Sequence, residues 1–341
     1  MDNSQPELEM APAWKLFAYG AASVIGIGVI ILGIIFLMGL RRGSEHPAVV
    51  ATARLLHIPV GRVNGRFISY SDYAADRSAL KKFYGSQPEG YLLTEEQTSD
   101  QALSRLIGNR LLEQLAEQHA VTVTADDMAA AKQRLFGVFP DETTAAAEIQ
   151  TTYGWTIPQF EQKVIIPYIR EQKLKEKFAA GEGAFAELNK THREDARRAR
   201  HVLVAVSANK TGEQAKREAE ALLRRVTTGK EDFAAVAKAK SDDATTKDNG
   251  GELPIFVRGE LERAFEETAF GTEPGQVAAR AVETRFGYHI IKVEEKLRVP
   301  SFRVFVNEEL RQAKLKLFLP IHNPLANLPS AESATESAAT Q

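Results

Sequence analysis

Phe286-Gly287-Tyr288-His289-Ile290-Ile291-Lys292-Val293 alternates polar and apolar side chains as a half-buried strand does, with a histidine at its centre. Far upstream, Ala199-Arg200-His201-Val202-Leu203-Val204 is a second run of strand formers, also holding one histidine. Between them lie an acidic pair, Asp242-Asp243, and Asn249-Gly250-Gly251-Glu252-Leu253, which reads as a tight turn entering a strand. Thr211-Gly212-Glu213-Gln214 has the form of a capping box, and Ala215, Ala219, Leu222 and Val226 follow on one stripe, so a helix is expected from Thr211 to Val226. Phe233, Val236 and Ala237 suggest another short helix. The order of strand, helices and then strands around Phe256 and His289 predicts an antiparallel sheet with helices on it, an α+β domain.

These residues together resemble the parvulin (rotamase, PpiC-like) family of peptidyl-prolyl cis-trans isomerases. In that family a strand opening His-Val/Ile-Leu-Val pairs with a closing Gly-Tyr-His-Ile-Ile strand, and the two imidazoles meet on the sheet. The resemblance implies that His201 and His289 are the paired histidines and that Asp243 stands where different parvulins have cysteine or aspartate. It also implies a proline pocket of Leu253, Phe256, Leu261 and Phe265, with Leu261 where methionine is commoner and Glu262 where many members have glutamine. One departure is Pro254, where glycine usually follows the Gly-Gly-Asp/Glu-Leu turn. Proline fixes φ and removes an amide donor there.

Blander readings stand beside these. On periodicity alone Leu253, Leu261 and Phe265 are core residues. Asp242 could take the place of Asp243, and either could cap a turn. Two histidines and one carboxylate could also ligate a metal, although apolar surroundings suit a prolyl ring better. Phosphate-directed parvulins carry a basic cluster after the first histidine strand. Here Ala205-Val206-Ser207-Ala208-Asn209-Lys210 has one lysine, which argues against a requirement for phosphoserine or phosphothreonine before the proline.

The chemistry asked of such a site is modest. An X-Pro bond isomerises over a barrier of about 18–20 kcal/mol because twisting breaks amide resonance. No bond need form. The twisted amide is less dipolar than the planar one, so an apolar pocket favours it, and each 1.36 kcal/mol of such preference is worth about tenfold in rate. Neither a cofactor nor a metal is implied.

An isomerase domain occupies less than a third of 341 residues, so two or three domains are expected. Residues 17–40 contain no charged side chain and as a helix would span about 36 Å, enough for a bilayer core. We read one transmembrane helix over 16–40 after a tail, 1–15, and before a linker, 41–58. A cleaved signal peptide competes, with Ala51-Thr52-Ala53 imitating a cleavage site, but the apolar run is long for one and that site lies well past it. Arg41 and Arg42 after the helix, against Asp2, Glu7 and Glu9 before it, would put the C-terminal part in the cytoplasm. The resemblance points to the extracytoplasmic side, and the charge rule weakens for long translocated domains.

The absence of cysteine excludes thiol chemistry and thiolate metal sites. The balance of 43 basic against 45 acidic residues gives no electrostatic reason to expect nucleic acid as a partner.

Val60-Gly61-Arg62-Val63-Asn64-Gly65-Arg66-Phe67-Ile68 reads as a hairpin with an Asn-Gly turn. Helices are predicted over 69–79, 101–119, from Thr124 or Ala125 to Leu135, over 142–153 and over 157–178, with Leu103, Leu106, Ile107, Leu111, Leu112 and Leu115 on one broad apolar face. The segment 59–195 resembles the mainly helical N-terminal chaperone domain of the periplasmic survival-protein and lipoprotein-foldase (SurA/PrsA-like) groups, with the α+β domain at 196–298. Val304 to Phe318 is amphipathic, and within 299–326 a helix is expected to fold back on the N-terminal domain. Residues 327–341 are expected to be disordered. The resemblance implies unfolded or partly folded polypeptides containing X-Pro bonds as partners. Two functions follow: a membrane-anchored isomerase assisting exported proteins, or a holdase whose parvulin domain only binds peptide.

Overall fold

The computed structural model of the chain describes residues 30–87 and 92–326. The expected tail 1–15, most of the expected transmembrane helix 16–40 and the tail 327–341 lie outside the described residues. Residues 30–41 form helix α1, which exposes Ile30, Leu32, Ile35 and Leu37. Among the described residues, no helix is long and apolar enough to cross a membrane. Two compact units are formed, one from 30–173 with 310–326 and the other from 174–309.

The first unit is mainly helical. The stretch 41–58, read as a linker, contains helix α2 (Pro47–Leu55), started by proline in the first turn and by the His46 side chain accepting from the Ala48 amide. Small residues at 48, 51 and 53 look like spacer by composition but are ordinary helix formers. Next come β1 (Pro59–Val63), β2 (Arg66–Ser69), α3 (Tyr70–Gly85), α4 (Glu95–Gln118), α5 (Ala125–Phe136) and α6 (Glu142–Tyr153). Thr94 and Thr124 start α4 and α5 with reciprocal capping boxes. α7 (Ile157–Phe160) runs through a π turn, Glu161–Ile165, into α8 (Ile166–Ala180). Val60, Val63, Ile68, Tyr73, Leu103 and Ile107 make one buried cluster.

The C-terminal return corrects our expectation of a helix through Phe318. Helix α13 (Phe302–Gln312) stops, and Leu315–Leu317 forms a short strand, β7, which adds to β1 in the order β2-β1-β7. The reason is visible in Lys314-Leu315-Lys316-Leu317, whose period of two suits a strand with one buried face better than a helix. Asn64 holds the splice: its amide donates to the Lys314 carbonyl at 3.1 Å and its side-chain oxygen accepts from the Lys314 amide at 2.8 Å. Gly61 permits the approach, since a Cβ there would lie 2.8 Å from the Lys316 carbonyl oxygen.

The second unit is an α+β domain built on a four-stranded antiparallel sheet. Its elements are α9 (Phe185–Thr191), β3 (Arg193–Ala205), α10 (Gly212–Thr227), α11 (Phe233–Lys240), β4 (Phe256–Val257), α12 (Arg263–Gly271), β5 (Val282–Thr284) and β6 (Gly287–Pro300), with strand order β4-β3-β6-β5. β3 and β6 pair from Arg193↔Pro300 to Ala205↔Gly287, with one irregularity between Arg198 and Ala199. The sheet therefore extends beyond the boundaries 196 and 298 drawn from sequence. The charged stretch 183–195 reads as a helical connection by composition, yet helix α9 ends at Thr191 and Arg193, Glu194 and Asp195 already pair with the outgoing strand. Val202, Val204, Tyr288 and Ile290 pack toward α10 and α11. Ala199, Ile291 and Val293 pack with Phe256, Phe265 and Ala269. Phe178, Phe185, Phe302 and Phe305 form an aromatic cluster in this unit, Phe178 stacked on Phe305 at 5.5 Å.

Candidate active site

The register of β3 and β6 sets the centre of the site. His201 lies opposite Ile291 and His289 opposite Leu203, so the two histidines are diagonal neighbours on one face of the sheet. Their rings stack at 5.3 Å with 13° between planes, and the two Nδ1 atoms are 3.1 Å apart. Both residues are buried, at 5% and 6% exposure.

The neighbouring partners fix the tautomers. His201 Nε2 is 2.8 Å from Asp243 Oδ2 and 2.9 Å from Thr246 Oγ1. A carboxylate only accepts, so His201 donates from Nε2 and its Nδ1 accepts from His289. His289 Nε2 then accepts, and the Thr284 hydroxyl at 2.8 Å donates to it. Thr284 in turn accepts from the Phe286 amide at 3.2 Å. All four ring nitrogens are thus engaged in one chain, Thr284–His289–His201–Asp243. Thr246 and Thr245 donate hydroxyl protons to Asp243 at 2.5 and 2.7 Å, and the Thr245 amide adds another bond at 3.0 Å.

Burial lowers the pKa of His201 although the Asp243 carboxylate favours its charged form. Burial, together with the neighbouring His201, pushes His289 down to about 4. For Asp243, burial alone would raise the pKa. The hydrogen bonds from Thr246, Thr245 and His201 overcome it and hold the group well below the usual carboxylate range. At neutral pH the site therefore contains two neutral imidazoles against one anion.

The unfolded His289 titrates near 6.5 and the folded one near 4, so the unfolded chain binds more protons between these values. The stabilisation is complete above about pH 6.5 and is lost as pH falls toward 4, by about 3 kcal/mol at 1.36 kcal/mol per unit. Urea midpoints of the second unit at pH 7 and pH 4.5, with an NMR titration of the His289 ring protons, check this. A midpoint that does not move, with His289 titrating near 6.5, would contradict it.

The backbone that carries these groups is shaped by glycine. Gly251 has φ +78°, and a Cβ on it would come within 2.1 Å of the His201 carbonyl oxygen. Its own carbonyl accepts from the His201 amide at 2.8 Å, so the Gly250-Gly251 turn clamps β3 at the histidine. Ser241 and Asp242 attach the next segment to β3: Ser241 Oγ accepts from the Leu203 amide, and the Asp242 amide donates to the Leu203 carbonyl. Asp242 itself accepts from the Ala205 amide and Lys210, so of the acidic pair it is Asp243 that meets the histidine.

An apolar wall stands over the pair. Phe265 presents itself edge-on to His201 at 6.0 Å and to His289 at 5.3 Å, and Phe256 packs on Phe265 at 6.1 Å. Both phenylalanines are 4% exposed, Leu253 is half-buried against them, and Leu261 is 37% exposed at the rim. Glu262 Oε1 bonds Arg285 Nε at 2.9 Å, tying that rim to the turn before β6. Pro254 is exposed, and the bond anchoring its turn is made by the preceding residue, Leu253 N to the Ala199 carbonyl. Thr246 and Thr284 escaped the sequence reading because short hydroxyl side chains carry no periodic signal. The spacing Asp243-x-x-Thr246, typical of a side-chain-bonded turn, was the available clue to the first.

These positions do not make a metal centre. Asp243 meets His201 at Nε2 whereas His289 meets it at Nδ1, so the three do not face a common point. Among the described residues, the group of three His or acidic ligand atoms close enough to share an ion is Glu96, Asp100 and His322, in the first unit.

Residues 185–297 match the PPIC-type PPIASE domain family, and residues 20–145 match the SurA-like N-terminal domain family. The chain thus carries a parvulin-type domain behind a SurA-like one. The foldase protein PrsA of Caldanaerobacter subterraneus subsp. tengcongensis is 34% identical over 205 residues, 57% of this chain and 56% of that protein. The chaperone SurA of Chromohalobacter salexigens is 35% identical over 115 residues, 34% of this chain and 26% of that one. These alignments cover between about a quarter and just over half of the length of the curated relatives. Among solved structures, the peptidylprolyl isomerase PrsA of Bacillus anthracis aligns with 60% of this chain and 84% of its own at 22% identity, with a TM-score of 0.29.

Proposed function

We propose that the chain is a peptidyl-prolyl cis-trans isomerase of the parvulin type that assists the folding of exported polypeptides. The observation that carries this is the closed chain Thr284–His289–His201–Asp243 lying under the apolar edge of Phe265. With every ring nitrogen engaged, no imidazole is free to attack the substrate or to exchange a proton with it without first breaking a bond. That suits a reaction in which no bond is made. The two neutral rings, with Phe265, Phe256, Leu253 and Leu261, offer a low-polarity surface to a prolyl ring. The twisted amide, less dipolar than the planar one, is favoured there.

His201, Asp243 and His289 act as the catalytic framework, and the four apolar residues bind the proline. Lys210, the lone cation after the first histidine strand, is committed to Glu218 at 2.9 Å and Asp242 at 3.2 Å, which leaves no basic cluster for a phosphate. The test is NMR exchange between cis and trans forms of short X-Pro peptides with the full chain. Turnover well above the uncatalysed rate is expected, with Ser-Pro and phosphoserine-Pro peptides within about threefold of each other, a free-energy difference under 1 kcal/mol. Exchange at the uncatalysed rate with folded protein would leave the second reading, a holdase. The exposed ring pair of Phe67 and Phe318, 6.2 Å apart on the first unit, supports such a client-holding surface alongside catalysis.

The apolar stretch 17–40 and the exposed aliphatic face of α1 support a single-pass membrane anchor, and the foldase resemblance supports domains on the extracytoplasmic side. Protease accessibility of the C-terminal units in intact cells would decide the side, protection of both units overturning it.

A further inference from the structure

Glu266, the residue after Phe265 on α12, is a carboxylate only 7% exposed. Burying such a group is costly unless hydrogen bonds satisfy it. Here three consecutive backbone amides do so: Gly259 N at 2.8 and 2.9 Å to the two oxygens, Glu260 N at 2.8 Å and Leu261 N at 2.8 Å. Consecutive amides converging on one anion form a nest, and Gly259, with φ +93°, supplies the turn that lets them converge.

The held loop has no regular ladder of its own. It runs from β4 to α12 and carries Leu261, an apolar side chain kept 37% exposed. Directly after Leu261, Glu262 bonds both the Arg285 guanidinium at 2.9 Å and the Arg285 amide at 3.3 Å. The loop is therefore pinned on one side by a buried carboxylate and on the other by the turn that bears Thr284, the partner of His289. Fixed polar bonds on both sides of an exposed leucine hold that leucine in one place without burying it, as is needed of a side chain that must contact a substrate. Two adjacent residues of one helix divide the work: Phe265 faces the imidazoles, and Glu266 faces the loop.

We propose that Glu266 is a positioning residue that fixes the 259–261 loop and so places Leu261 over the proline pocket. This rests on the isomerase reading above.

The test uses the full chain and has two arms. In hydrogen exchange, Glu266→Ala should speed exchange of the 259–261 amides by at least about tenfold while β3 and β6 amides are unchanged, and Glu266→Gln, which keeps one acceptor oxygen, should fall between. In peptide isomerisation, Glu266→Ala and Leu261→Ala should each lower kcat/KM about tenfold, mainly through KM, with Glu266→Gln partly restored. The double variant should lose little more than either single change, because both remove the same contact. If Glu266→Ala does not fold, Glu266→Gln with Leu261→Ala completes the cycle.

Losses that multiply to about a hundredfold in the double variant would overturn the proposal, since Glu266 would then act independently of Leu261. Unchanged exchange at 259–261 would overturn it too. A wild-type chain without turnover defeats the isomerase reading and this inference together, whereas normal turnover with multiplicative losses defeats this inference alone.

Discussion

Replacing Phe265 by alanine is expected to reduce kcat/KM for X-Pro peptides by roughly 100-fold, the largest single-residue effect in the site. The ring is 4% exposed and meets both imidazoles and Phe256. Its removal takes away about 2–3 kcal/mol of apolar contact that a prolyl ring would otherwise make. At 1.36 kcal/mol per tenfold, that is the rate loss given. The same substitution opens a cavity in the cluster with Phe256, Ala269 and Ile291, and should destabilise the second unit by about 3–5 kcal/mol. Phe265→Leu, which keeps most of the volume, separates the two effects. By contrast, Asp243→Asn leaves an oxygen to accept from His201 Nε2, and should lower kcat/KM by about threefold to tenfold. The measurement is peptide exchange at several substrate concentrations, with thermal melts on the same samples. A larger loss for Asp243→Asn than for Phe265→Ala would mean that the charge, and not the apolar wall, dominates.

A chain ending at Gln312 should keep its second unit and lose much of the stability of its first. Helix α13, with Phe302 and Phe305 in the aromatic cluster of the second unit, is retained in that chain. What goes is β7 and the segment after it, which lay Leu315, Leu317, Leu319, Ile321 and Leu325 against the core of Val60, Val63, Leu103 and Ile107. Five half-buried aliphatic side chains at about 1 kcal/mol each amount to about 5 kcal/mol. A whole domain is typically stable by about 5–15 kcal/mol. Hydrogen exchange read by mass spectrometry resolves the outcome: β1, β2 and α4 should lose protection, and β3 and β6 should keep it. Equal protection in all of these segments would show that the C-terminal return is dispensable to the first unit.

Much of this was legible along the chain because it depends on neighbours in sequence. The caps at Thr124 and Thr211 are three-residue relations, whereas the start of α4 at Glu95, ahead of the expected 101, was not read. The leucine stripe of α4 is a periodic one, and the Gly250-Gly251 turn declares its backbone conformation through residue type. The strand bearing His289 likewise shows itself by alternation, and that bearing His201 by a run of strand formers. The sequence alone therefore determined the mainly helical first unit and the α+β second unit, and the pairing of the histidine-bearing strands came from the family resemblance.

The tertiary structure decided what no local pattern contains. Only the register of β3 on β6 makes the two histidines diagonal neighbours with their Nδ1 atoms in contact. Only the fold of the 241–246 turn selects Asp243 over Asp242 and brings Thr246 to it. Lys314 to Leu317, continuing an amphipathic run, became a strand because β1 presented an unpaired edge from 250 residues earlier. Nothing in the residue pattern around Glu266 marks it, and only the folded 259–261 loop brings three amides to its carboxylate. For the histidine pair, Asp243 and β7 the deciding partner is remote in sequence, and for Glu266 it is a loop five to seven residues back whose course only the fold sets. In each, hydrogen bonding of buried polar groups made the choice.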